Sequence, residues 1–291
     1  MFNLSDFIQD TSLFKQYHAN GLIYAMYECP LRDKVFQYWT THHYFLYVLR
    51  GKKRWTTTED EYTAHAGDAI FCKKGVYTSH QFFDEPFDAI IIFAPDPLIK
   101  NSLDKIQPQK TGTTSKPDSP VIPIQLDEYI SNYFQSLQVF FKQDKTPPAD
   151  LLHLKFHELL HTLFTTGNNP ILCQYLNSLL HSGHSSLQEI MEANYRYSLT
   201  LPEYARLTGR SLSKFKRDFR AAYGQTPGKW LKKKKLEWSR YRLEREDISV
   251  AQLALECGFE DTSHFIKIFR DRFGSTPYQH KKEWLSQQSA H

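Results

Sequence analysis

Apolar positions in the last third of the chain recur at helical spacing, and the same spacing is written twice. Leu201, Tyr204, Ala205 and Thr208 fall on one helical face, Gly209 interrupts, and Leu212, Phe215, Phe219 and Tyr223 form a second stripe. Val250, Ala254 and Gly258 then lead into Phe265, Phe269 and Phe273. Gly274 and Thr276-Pro277 follow, just as Gly224 and Thr226-Pro227 follow the first pass. Gly209 maps onto Gly258 at an offset of 49 and Pro227 onto Pro277 at 50, so one residue is added in the second turn. Each pass predicts two helices about a tight turn, with Ser198 or Thr200 as a cap, Pro202 in a first turn and Gly209 as a stop. A long helix from about Thr226 to Arg245 should join them, with Trp230, Leu231, Leu236, Trp238, Tyr241 and Leu243 touching both halves.

The first 95 residues carry a different pattern. Gly21–Tyr27, Val35–Trp39, His43–Leu49 and Ala89–Phe93 are rich in β-branched and aromatic residues, and Gly51, Gly67-Asp68 and Gly75 punctuate them. Many short strands predict a barrel or jelly roll. Residues 104–125, polar and rich in Pro, Gly, Ser and Thr, predict a loop. Helices are then expected over 127–142 and 149–164, separated by Pro147-Pro148, and over 171–180. Leu152, Phe156, Leu159 and Leu163 make the seam of a helix that pairs with another. His181–Ser186 reads as a hinge, with Ser185 or Ser186 capping a helix that turns Leu187, Ile190, Met191 and Tyr195 inward.

Composition narrows the class. The chain has 291 residues, room for about two domains, and 41% hydrophobic with 23% charged residues describes a soluble globular protein. No signal peptide is expected at the start and no run approaches bilayer length, which predicts a cytoplasmic protein without a membrane partner. Cys29, Cys72, Cys173 and Cys257 are widely spaced, as suits reduced thiols. The net charge of +4 is uneven: residues 176–291 carry 20 Lys plus Arg against 13 Asp plus Glu, and the remainder 16 against 19. The positive excess accompanies the repeated helices, as expected of a domain that approaches phosphates.

The repeated region resembles the paired DNA-binding domain of the AraC/XylS family of transcription regulators. The resemblance covers roughly residues 180–284 and is most specific at Ile248–Ala254, Cys257-Gly258-Phe259-Glu260-Asp261-Thr262-Ser263-His264-Phe265 and Phe269–Pro277. It implies a bacterial DNA-binding regulator, more an activator than a repressor, whose two helix-turn-helix motifs enter successive major grooves about 34 Å apart. In the first motif it places Ser213, Lys214 and Arg217 toward bases, with Lys216 and Arg220 nearer the backbone. In the second it offers Thr262, Ser263, His264, Ile266 and Lys267. Arg217 is the best single candidate, because a guanidinium can pair with N7 and O6 of guanine. Ser213 and Ser263 stand where family members often carry larger side chains. Amides at the helix starts near Thr200 and Ser249 could clamp phosphates. Lys232–Lys235 reads equally as solvated surface or phosphate contact.

The first half resembles, over perhaps residues 30–95, the cupin-like sensor arm of the same family: Leu46–Lys52, Gly67–Phe71, and Gly75 followed by His80. A small-molecule or protein effector, a homodimer through helices 127–166 and contact with RNA polymerase are what the resemblance implies. Tyr38, Tyr47 and Phe82 are candidates to line an effector pocket, against the plainer reading that they are core. His42 and His43 are adjacent, so they point to opposite faces of a strand, and no carboxylate follows at the interval a cupin metal site needs. His157-Glu158-Leu159-Leu160-His161 matches the zinc-protease pattern, but Phe164 stands where a metzincin places Gly.

The fold class expected is therefore α+β in two domains. Residues 1–175 should form a cupin-like β-barrel with dimerisation helices. Residues 176–291 should form an all-α unit with motifs at about 200–223 and 249–273 and a linker helix at about 226–245. The expected function is DNA-binding transcription regulation with no catalytic, cofactor or metal site. The alternative is a metal-dependent enzyme using His157, Glu158 and His161, or a cupin metal at His80.

Overall fold

A computed structural model describes all of the chain except residues 11, 58–59, 107–118, 182–186, 260 and 289–291. The chain divides into two compact units, Met1–Ser185 and Ser186–His291. The first begins with β1 (Phe2–Asn3), α1 (Leu4–Gln9), β2 (Lys15–Ala19), β3 (Leu22–Glu28), β4 (Val35–Thr40), β5 (His43–Arg50) and β6 (Lys52–Thr56). It continues with β7 (Glu61–His65), β8 (Ala69–Cys72), β9 (Gly75–Gln81), β10 (Asp88–Ala94), α2 (Asp96–Ile106) and β11 (Val121–Ile124). Helices α3 (Glu128–Lys142), α4 (Ala149–Thr166) and α5 (Pro170–His181) complete it.

The strands form two sheets, β1-β4-β9-β6-β7 and β11-β8-β5-β10-β3-β2, so the expected closed barrel is replaced by two open sheets. Residue parity explains their layering. Along β10, Ala89, Ile91 and Phe93 join a core shared with Tyr38 and Trp55 of the five-stranded sheet. Ile90, Ile92 and Ala94 join a second core with α2, α3, α4 and α5. Strand β10 is thus buried on both faces, and from Ala89 to Ala94 it reads as an unbroken apolar run. In β6, by contrast, Lys53 and Trp55 are buried while Lys52, Arg54 and Thr56 are half-buried.

The second core accounts for the α4 seam. Leu152, Phe156, Leu159 and Leu163 are each 0–1% exposed within it. Tyr24 Oη donates to the Leu152 carbonyl at 2.9 Å, and the Tyr47 ring stacks on Phe134 at 4.6 Å. The seam read as a dimer contact is consumed by the chain's own sheet, where each such side chain contributes about 1.5–3 kcal/mol. Asp127 caps α3 through the Ile130 amide, and Gly167, at φ +73°, ends α4. The expected boundary at residue 176 falls inside α5. Leu176 and Leu179 pack in this core, so the division comes after α5. Most of the expected loop over 104–125 and of the hinge at 181–186, including the Ser185 or Ser186 cap, lies outside the described residues.

The second unit is helical: α6 (Leu187–Asn194), α7 (Leu201–Leu207), α8 (Leu212–Tyr223), α9 (Pro227–Arg245), α10 (Val250–Glu256), α11 (Thr262–Phe273) and α12 (Pro277–Gln288). Thr226 and Pro227 start α9 as expected. Helix α12 was not foreseen, although Thr276-Pro277 repeats that start signal. Thr276 and Gln279 cap each other's amides, at 3.3 Å for the hydroxyl and 2.9 Å for the side-chain amide oxygen. Among the described residues, no helix is long and apolar enough to cross a membrane.

Candidate nucleic-acid interface

The two turns are built alike. Thr200 and Glu203 form a capping box at the start of α7, and Ser249 accepts from the Gln252 amide at the start of α10. Gly209 and Gly258 adopt φ +66° and +75°, a region in which a side chain is strained. Arg210 N then donates to Ala205 O, and Phe259 N to Ala254 O, both at 2.9 Å. Ala205 and Ala254 are 2% and 0% exposed, which confirms why a small residue stands there. Glu260, in the second turn, lies outside the described residues.

Each second helix is anchored by a fully buried pair, Phe215 with Phe219 and Phe265 with Phe269. Their rings stand 5.8 Å apart in both motifs. Opposite these anchors, Ser213, Lys214, Lys216, Arg217 and Arg220 are exposed on α8. On α11, Ser263, His264 and Lys267 are exposed and Thr262 and Ile266 half-buried. The Arg217 side chain is 77% exposed, its Nε 3.7 Å from Asp218. Asp218 takes the Arg210 Nε at 3.1 Å, and Arg210 also donates to the Thr208 carbonyl at 2.8 Å, tying the turn to α8. Desolvation would raise the Asp218 carboxyl, but the Arg210 hydrogen bond and the charges of Lys214, Arg210 and Arg217 outweigh it and hold it below the usual range. Sequence reasoning missed Arg210 and Asp218; their eight-residue separation across a turn gives no periodic signal.

Helix α9 joins the motifs. Trp230 lies 5.7 Å from Phe219 and 5.0 Å from Tyr223, while Leu236 and Leu243 enter the core of the second motif. The lysine run divides. Lys232 and Lys233 are exposed, Lys234 pairs with Glu192 at 2.7 Å and lies over Trp230, and Lys235 is half-buried. Burial lowers the pKa of Lys235, with the nearby Cys257 opposing. Ser239 Oγ meets Cys257 Sγ at 2.9 Å, and Arg242 bridges Glu246 and Glu256. The second turn is therefore docked directly on the linker helix.

The sensor-arm candidates disperse. Tyr38 lies between the sheets, bonded to Tyr44 Oη at 2.7 Å and Trp55 Nε1 at 2.9 Å. Tyr47 faces the helices, and Phe82 lies under Lys52 and Arg54. These three rings do not share a pocket. His43 and His80 are on different sheets. His43 is buried, its Nδ1 accepting from the Lys74 amide at 3.1 Å and its Nε2 3.3 Å from Asp96, whereas His80 meets Thr56 at 2.9 Å. His42 is half-buried, its Nδ1 3.4 Å from Thr41 Oγ1. On α4 the His157 and His161 rings are 6.3 Å apart, and Glu158 pairs with Lys155 at 2.8 Å.

A cleft of about 790 Å³ opens between β7 and β11, the edges of the two sheets. Asp60, Glu61, Tyr62, Ile122, Ile124 and Ile171 are among its lining residues. The Asn169 side chain clamps both backbone groups of Gln125, at 2.7 and 3.0 Å, and fixes one wall. None of the aromatic residues named from the sequence lines it.

Residues 43–175 match the family described as the ExsA N-terminal regulatory domain, and residues 204–283 match a helix-turn-helix domain. The chain is 26% identical over 237 residues to the thermoregulatory protein LcrF of Yersinia pestis, covering 80% of this chain and 87% of that protein. It is 26% identical over 240 residues, with the same coverage, to the virulence regulon transcriptional activator VirF of Yersinia enterocolitica. It is 32% identical over 130 residues to the transcriptional regulator ExsA of Pseudomonas aeruginosa, covering 45% of this chain and 47% of that one.

Proposed function

Because the chain belongs to the AraC/XylS family of DNA-binding transcription regulators, we propose that α8 and α11 read two adjacent major-groove segments of one duplex. The observation that supports this reading is the matched pair of helices, each buried on two phenylalanines and free on the opposite side. On α8, Ser213, Lys214 and Arg217 face bases, and Lys216 and Arg220 face phosphates. On α11, Thr262, Ser263, His264 and Lys267 occupy the corresponding surface. Lys232 and Lys233 add phosphate contacts from α9, whereas Lys234 is paired with Glu192 and Lys235 is half-buried. The protein acts in the cytoplasm as an activator that contacts RNA polymerase. Its two-sheet unit is an open form of the cupin-like arm and takes a small-molecule or protein effector. Homodimerisation through α3 and α4 would use exposed side chains such as Tyr129, Val139 and Leu154 in place of the buried seam.

The test is binding of the full chain to duplexes selected from a random pool, followed by fluorescence anisotropy across salt concentrations. Log affinity should fall linearly with log salt, by about 0.9 per phosphate neutralised. A flat salt profile, with no sequence enriched in the pool, would refute the reading.

A further inference from the structure

Lys53 projects from β6 into the space between the two sheets and is 3% exposed. A buried ammonium ordinarily takes a carboxylate partner. Here Nζ lies over the rings of Tyr27, Phe36 and Phe87 at 4.9, 5.5 and 4.3 Å, and the Cys29 sulfur sits by the same Tyr27, 3.1 Å from its hydroxyl. Burial lowers the pKa of this amine, with Cys29 opposing, so its neutral form is reached more readily than that of an exposed lysine.

Cys29 follows the last residue of β3, in the six-stranded sheet, and is held in place. Tyr27 Oη donates to its sulfur at 3.1 Å, and the thiol donates to Gln81 Oε1 at 2.8 Å. Gln81 is fixed in turn by donating to the Leu31 and Asp33 carbonyls at 3.1 and 2.9 Å. Cys72, Cys173 and Cys257 are buried, whereas Cys29 is half-buried. A void of about 20 Å³ borders Lys53 and Ser79, room for one water-sized molecule. The Ser79 hydroxyl is buried there without a hydrogen-bond partner.

We propose that Cys29 and Lys53 are a modification site at which hydrogen peroxide drives a sulfur–nitrogen cross-link, a sulfenamide that staples one sheet to the other. The Cys29 sulfur attacks a peroxide oxygen; an S–O bond forms, the O–O bond breaks, and the departing hydroxide leaves as water with the thiol proton. The Lys53 amine then attacks that sulfur; the S–N bond forms, the S–O bond breaks, and hydroxide leaves as a second water with an amine proton. Sulfur loses two electrons and peroxide gains them.

The test is mass spectrometry of the full chain after peroxide treatment and digestion without reductant. A peptide pair joined through Cys29 and Lys53 is expected, about 2 Da lighter than the separate peptides together and released by a thiol reductant. Lys53→Met keeps an unbranched apolar filling but removes the nucleophile. In that variant Cys29 should advance to the sulfinic acid, about 32 Da heavier, with no cross-link. Cys29→Ser should remain unlinked. An unmodified wild-type Cys29, or one that gains oxygen just as it does in Lys53→Met, would overturn the proposal.

Discussion

Replacing Gly258 by alanine tests whether the second turn is docked on the rest of the helical unit, and Gly209 supplies the internal control. Both glycines have positive φ, +75° and +66°, so each alanine meets the same left-handed backbone penalty of about 1–2 kcal/mol. Reduced freedom of the unfolded chain returns about 0.4–1 kcal/mol. A Cβ at Gly209 meets nothing within 4 Å, and Gly209→Ala should therefore cost about 1 kcal/mol. A Cβ at Gly258 would lie 2.5 Å from Ser198 Oγ, 3.0 Å from Lys235 Nζ and 3.3 Å from Ser198 Cβ. Ser198 is exposed and Lys235 half-buried, so the hydroxyl and the ammonium can turn aside, but Ser198 Cβ must give by a few tenths of an ångström. Strain of this kind lies at the low end of overpacking, about 1 kcal/mol. In thermal melts of the full chain followed by far-ultraviolet circular dichroism, the helical transition of Gly258→Ala should lie roughly 4–8 °C below that of Gly209→Ala. Ser198→Ala, which removes the nearest atom, should recover part of the difference. Equal melting of the two single variants, or no recovery with Ser198→Ala, would refute the argument that this turn sets the position of the second motif.

Arg217→Ala should cost about 1–3 kcal/mol at the selected site and relax base preference there, as measured by anisotropy against single-base variants of the duplex. Lys232→Ala should weaken all duplexes alike and lessen the salt slope. Lys234→Ala should change that slope less and lower stability more, because its ammonium is already paired with Glu192. Leu163→Ala should destabilise the first unit by about 2–5 kcal/mol in urea titrations without requiring a change in oligomeric state, since its side chain is 0% exposed within one chain. The stability of the first unit should also decline on acidification. Burial depresses the His43 pKa below its ordinary 6.5, with Asp96 opposing. The Asp96 carboxyl, which burial alone would raise, is held far below 3.8 by His43 and Lys74. Both depressed values mean stability present at higher pH and lost as pH falls, from about 6.5 for the histidine and from about 3.8 for the carboxylate. His43→Asn should flatten the upper part of a melting-temperature profile, and an unchanged profile would refute the assignment.

The helical unit was legible because its instructions are local. Gly209 and Gly258 stop helices, Thr200 and Ser249 start them, and Phe215, Phe219, Phe265 and Phe269 repeat at a spacing that buries one face. Even the missed α12 carries a local sign, the second Thr-Pro. The first unit was legible as strands but not as an assembly. Tyr38 and Tyr47 both sit on apolar strands, yet parity within a strand says nothing about which sheet lies opposite, and the two rings face different layers. The α4 seam shows the same limit: four apolar residues at helical spacing require a cover, and the sequence does not specify whether that cover is a second chain or the strands of the same one. Lys53 was passed over for the opposite reason. An alternating strand with a lysine on its apolar side reads as an exception, and only the three rings around its amine show how it is accommodated.

Burial of β10 on both faces leaves this inner strand without a neutral direction for drift. Along β10 from Ala89 to Ala94, a polar replacement at any position strands a dipole in one core or the other. In β6 the penalty alternates with the pleat, heavy at Trp55 and light at Arg54 and Thr56. A saturation library selected for folding would then trace β10 as a solid bar and β6 as a comb, mapping the layer order of the unit without coordinates.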